Sequence, residues 1–99
     1  MAEKEEEWVA VCYSRELRYI GRVVREGPTT ITARFLERRA GGVYEIRKQE
    51  EETEKVLVFM REVKVKWIGP GRYEVPDQIA IKRGHEEHWK LLRLREKVK

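Results

Sequence analysis

Two histidines, one cysteine and one serine are the residues of this chain with the readiest chemistry. His85 and His88 are spaced i, i+3, which on a helix puts them on one face, where they would supply two ligands to a metal. The sequence nominates no third ligand, so the spacing predicts a solvated helix start with two exposed histidines and no metal. Cys12 has Val11 and Tyr13 beside it, which predicts a buried, inert thiol. A single cysteine can form neither an internal disulfide nor a zinc cluster. Ser14 has no nearby histidine and no triad context. Gly69-Pro70-Gly71 lacks the Lys-Ser/Thr and the helix of a phosphate-binding loop. Carboxylates are abundant only as runs, where solvation explains them. No enzyme, cofactor or metal is therefore expected.

One segment has the outline of a hydrolase motif. Gly41-Gly42, Glu52-Thr53 and Arg61-Glu62-Val63 resemble the Nudix box, which uses a helix and a glutamate pair to hold magnesium. Glu52 stands one residue too far from Arg61, and Val65 and Lys66 occupy the metal-carboxylate positions. A lysine there repels the ion, and the alternating apolar pattern contradicts a helix. The segment is not such a site.

A broader pattern interleaves aromatic residues with arginine. The candidate binding residues are Tyr13, Arg15, Arg18, Tyr19, Arg22, Arg34, Arg38, Arg39, Tyr44 and Arg47, with Lys82, Arg83, Lys90 and Arg93 from the basic tail. Arginine and lysine track phosphates while aromatic rings stack bases, and rings can also hold a cationic side chain. Phe35 and Trp67, in phase with aliphatic neighbours, are expected in the core.

These residues need elements to hold them, and alternation with period two dominates the chain. Trp8 to Tyr13 is the first expected strand and Leu17 to Arg25 the second, with Gly21 as a bend or bulge. Glu26-Gly27-Pro28 turns into a strand from Thr30 to Glu37, and Ala40-Gly41-Gly42 turns into Val43 to Arg47. Glu50 to Glu54 reads as a solvated loop. Lys55 to Ile68 reads as one unusually long strand, and Arg72 to Ile81 as another, at an edge or broken at Pro76. His85 to Lys99 is rich in helix formers, which favours a terminal helix over a last strand. The expected fold class is mainly β: a small SH3-like or Tudor-like barrel, or a strongly bent antiparallel sheet, with a C-terminal helix. One domain is expected over 1–99, with an acidic tail at 1–6, β structure at 7–83 and a basic element at 85–99.

The strands Trp8 to Tyr13, Tyr19-Ile20-Gly21-Arg22-Val23, Ile31 to Phe35 and Val43 to Ile46 resemble a Tudor/SH3-like barrel over roughly residues 7–65. The resemblance implies a binding domain for methylated side chains, nucleic acid or peptides. Tyr13, Tyr19 and Tyr44 would match the cage-forming aromatics. The chain departs from that pattern in lacking an acidic cage partner and in the long segment 55–68.

Charge sharpens the choice of partner. The net charge is +4, with +4 in residues 82–99 and +4 in residues 15–39, offset by acid elsewhere, notably Glu3–Glu7 and Glu50–Glu54. Two basic stretches fit an anionic partner, whereas interspersed charge also suits heat-stable or designed surfaces. No apolar run approaches the roughly 20 residues of a membrane span. The acidic start carries no export signal, and an intracellular location, cytoplasmic or nuclear, is expected. Three readings follow. The first is nucleic-acid or chromatin-associated binding, the second a peptide-binding interaction module. The third is an engineered or idealised β protein without an evolved ligand, motivated by dense Glu, Lys and Arg and by clean alternation.

Overall fold

A computed structural model describes the backbone of residues 6–98 and the side chains of residues 6–93. The apolar run after the acidic start becomes β1 (Trp8–Cys12), with all five residues buried. It lies between β2 (Arg18–Glu26) and β6 (Val58–Met60), antiparallel to both. Side chains alternate across a strand, so Trp8 and Ala10 join Ile20, Leu36, Tyr73 and Ile81 on one face. Val9 and Val11 join Ile31, Ala33 and Phe35 on the other. A strand covered on both faces needs a continuous apolar run rather than alternation, and Trp8 to Cys12 supplies one.

β3 (Thr30–Arg38) divides the sheet. Its first half pairs with β5 (Glu51–Glu54) and its second half with β4 (Tyr44–Ile46). β4 then pairs with β8 (Arg72–Glu74), and β8 with β7 (Lys66–Gly69). The order is β6-β1-β2-β3-β4-β8-β7, with β5 against β3, and every pairing is antiparallel. β6 and β7 stand at the two ends of the order and do not pair with each other, so the bent sheet is open. The bent sheet is formed; the closed barrel is not.

The expected turns at Gly27, at Gly41-Gly42 and at Gly71 all fall between strands. Gly41, Gly42 and Gly71 take φ values of 74°, 75° and 69°, where a side chain would be strained. Gly21 has a different role from the expected bend. A Cβ there would stand 2.8 Å from Cδ1 of Phe35, so its bare backbone seats that ring. The register shift of β2 lies between Val23 and Arg25 instead.

Three expected elements change. Lys55 to Ile68 breaks into a 3-10 turn (Lys55–Leu57), β6 and β7, with a bend at Arg61-Glu62 where Glu62 takes a positive φ of 56°. Trp67 therefore sits on an edge strand, 64% exposed, and not in the core. Glu50 to Glu54 is largely strand rather than loop, since residues 51–54 pair with Thr30–Ala33 of β3 and bury Thr53, while Arg25 and Arg47 meet Glu50 and Glu51 at 3.4 and 3.6 Å. β8 stops at Glu74, and α1 (Gln78–Val98) begins well before His85. Pro76 cannot extend the ladder, and Asp77 follows at the position where short polar residues favour a helix start. Ile79, within the strand expected from Arg72 to Ile81, lies instead in the first turn of α1 and is 72% exposed.

α1 packs Ile81 and His85 against β1 and β6. Gly84 brings the helix close, since a Cβ there would lie 3.2 Å from Phe59.

Candidate functional site

His85 is where helix and sheet are tied together. It is 1% exposed, which corrects the expectation of a solvated histidine. A guanidinium only donates and a carbonyl only accepts, so its two contacts fix its protonation. Arg18 donates through Nη1 to Nδ1 at 3.2 Å, and Nε2–H donates to the Ser14 carbonyl at 2.7 Å. The ring is thus the neutral Nε2–H tautomer, and it stacks on Phe59 at 5.6 Å. His88 lies 2.7 Å through Nε2 from the Val56 carbonyl. Both imidazoles are spent on holding the fold. Among the described residues no group of three or more His, Cys, Asp or Glu could hold a metal.

The sole serine is likewise structural. Ser14 Oγ accepts the backbone N–H of Leu17 at 3.1 Å and that of Glu16 at 3.4 Å, which shapes the β1–β2 connection. Cys12 is fully buried, and burial pushes its thiol pKa up, away from the reactive thiolate.

Clamping that connection to α1 opens a groove of about 500 Å³ between them. Arg15 and Arg18 line one wall, and Lys82, Lys90 and Arg93 line the other. Glu16 and Glu86 are the carboxylates present, while His85 and Trp89 form the rest. A second groove of about 430 Å³ adjoins it, sharing Glu16 and Arg18. It runs onto the sheet past Tyr19, Arg38, Tyr44 and Arg47, with Ile20, Leu36 and Ile81 beneath.

Ion pairing sets the charge of the first groove. None of its five basic residues is in an ion pair among the described residues. Acid is matched to base elsewhere. Glu6 meets Arg22 at 3.3 Å, Glu37 and Glu45 meet Arg39, and Arg61 joins Glu7 and Glu26 at 3.0 and 2.8 Å. Excess positive charge is therefore left between α1 and the β1–β2 connection.

The nominated residues thus divide. Arg15, Arg18, Lys82, Lys90 and Arg93 come together in the first groove, and Tyr19, Arg38, Tyr44 and Arg47 with Arg18 in the second. Five others line neither. Arg22 lies over the Trp8 ring at 5.9 Å, and Arg34 donates through Nε to the Arg47 carbonyl at 3.0 Å. Arg39 is ion-paired, and Arg83 is exposed on α1 away from the grooves. Tyr13 packs edge-on to Tyr19 and Phe35, at 5.7 and 6.3 Å. Tyr13, Tyr19 and Tyr44 do not make a three-walled cage. The Arg47 guanidinium lies 5.3 Å over Tyr19, and Gln78 donates to the Tyr44 hydroxyl at 3.2 Å.

Sequence reasoning missed Trp89, Glu16 and Gln78 as groove residues, and His85 as the clamp. Only Trp89 carried a signal, its helical spacing with Leu92. Comparison with protein-family models, curated proteins and solved structures finds no match to the chain.

Proposed function

We propose that this chain is a non-enzymatic binding module for the phosphate backbone of nucleic acid. The observation that carries the reading is the convergence of Arg15 and Arg18 with Lys82, Lys90 and Arg93, from two distant basic stretches, on one groove without internal ion pairs. Guanidinium and ammonium groups that are not engaged in ion pairs are suited to bridging phosphate oxygens. The resemblance of residues 7–65 to Tudor/SH3-like domains agrees with binding rather than chemistry.

Titration of a labelled oligonucleotide, followed by fluorescence anisotropy at low and moderate salt, tests it. The expected result is saturable binding that weakens steeply as salt rises, because each phosphate contact releases a counterion. No binding at low salt overturns the proposal. Binding of a peptide that survives high salt would put an interaction module in its place.

A further inference from the structure

We infer that the ligand is an extended phosphodiester chain running along α1 through both grooves, with Arg38 as a further phosphate contact, and not a compact polyphosphate; this rests on the backbone-binding role proposed above. The first reason is the order of the grooves. Gln78 and Ile81, from the start of α1, line the second groove, and Lys82, Lys90 and Arg93 further along line the first. At about 1.5 Å of rise per residue, Gln78 and Arg93 stand about 22 Å apart along the helix axis. The cations therefore form a row beside α1 and not a cage around one point. A compact polyphosphate covers one end of that row, whereas a chain covers its length.

The second reason is how charge is spaced along the row. Glu86 lies four residues from Lys82 and four from Lys90, so a carboxylate interrupts the two ammonium groups on the same helix face. Glu16 stands likewise at the junction of the grooves, beside Arg18. A phosphodiester chain separates its charges by uncharged sugars, so its phosphates meet the cations while its neutral parts pass the carboxylates. Polyphosphate is charged at every unit and meets a carboxylate wherever it lies.

The third reason is an uncommitted cation beyond the junction. Arg18 belongs to both grooves, and its guanidinium is fixed there by the 3.2 Å bond to His85 Nδ1. In the second groove Arg47 is held by Glu51 and by the Tyr19 ring, and Glu37 is held by Arg39. Arg38 lines the same groove, is exposed at the end of β3, and is in no ion pair among the described residues. A backbone that leaves the first groove at Arg18 meets Arg38 next. Single strand and duplex satisfy these requirements alike.

The test displaces a labelled oligonucleotide, run as a single strand and as a duplex, with the unlabelled oligonucleotide or with inorganic tripolyphosphate at equal total charge. Tripolyphosphate is expected to compete about ten-fold more weakly, since it engages only part of the row. Arg38→Gln, checked for folding by near-ultraviolet circular dichroism, should weaken oligonucleotide binding about five-fold and flatten its salt slope by about 0.7–0.9. Arg72→Gln removes the same charge from an exposed site on β8 that lines neither groove, and should bind as the parent does. Tripolyphosphate that competes as well as the oligonucleotide overturns this inference but leaves backbone binding standing. A folded Arg38→Gln that binds no more weakly than Arg72→Gln also overturns it. Failure of the oligonucleotide to bind in either form at low salt overturns the underlying proposal as well.

Discussion

His85 joins two segments 71 residues apart, and each of its ring nitrogens has a partner that no other side chain of similar size would satisfy in the same way. His85→Leu keeps much of the volume beside Phe59 but leaves the Arg18 guanidinium without its acceptor and the Ser14 carbonyl with only the Cys12 thiol at 3.5 Å. Each lost hydrogen bond contributes about 0.5–1.5 kcal/mol, so urea unfolding should show a loss of about 1–3 kcal/mol for the two together. An unchanged midpoint would mean that the clamp contributes nothing. Cys12 gives a second check at the same scale. Its thiol is buried with a raised pKa, so a thiol-alkylating reagent should label it slowly in the folded protein and rapidly in denaturant. Rapid labelling of the folded chain would show that β1 opens readily.

At the level of elements, the β2–β3 ladder depends on Gly21 and Phe35 being directly opposed. Gly21→Ala places a methyl group against the Phe35 ring and should destabilise by about 1–3 kcal/mol. Adding Phe35→Leu to that variant should recover part of the loss; no recovery would mean that the conflict lies in the backbone. The corner where β2, the 3-10 turn and the bend at Arg61-Glu62 meet is held by Glu26, with Arg61 and Lys55 at 2.8 and 2.7 Å. Hydrogen bonds from Arg61 and then Lys55 hold the Glu26 pKa at about 2, below its ordinary 4.5. A depressed carboxylate stabilises above its unfolded value and loses that contribution as pH falls toward its folded value. Glu26→Gln should therefore melt lower than the parent at neutral pH, with the difference shrinking between about 4.5 and 2. A pH-independent difference would trace the effect to packing instead.

That corner also shows why the fold was only partly legible. β1, β2, β3 and the glycine turns are encoded within a few residues, by apolar runs and positive-φ glycines, and all were readable. Residues 55–81 keep a period-two pattern through breaks that are set by partners far away. Arg61 bonds Glu26 and Glu7, and the Val63 N–H donates to the Trp8 carbonyl. The candidate site divides in the same way. Charge bias marked Arg15, Arg18, Lys82, Lys90 and Arg93, but nothing local distinguished them from Arg22, Arg39 or Arg83. Cross-strand ion pairs and the rotation of α1 make that distinction.

For the molecule as a whole, a net charge of +4 says little until it is known where the charge is left unmatched. Pairing consumes Arg22, Arg25, Arg39 and Arg47 on the sheet, while the five basic residues of the first groove stay free of ion pairs among the described residues. If those five contact phosphates, the plot of log K against log salt should have a slope of about −3.5 to −4.5. Replacing Lys90 or Arg93 with Gln should flatten the slope by about 0.7–0.9 and weaken binding at every sequence alike. Arg83→Gln is the informative control, because it removes the same charge from the same helix but outside the groove. If net charge alone drives association, all three variants should flatten the slope equally. If the groove is the site, Arg83→Gln should bind as the parent does, and the basic tail then acts through the residues of α1 that line the groove beside the β1–β2 connection.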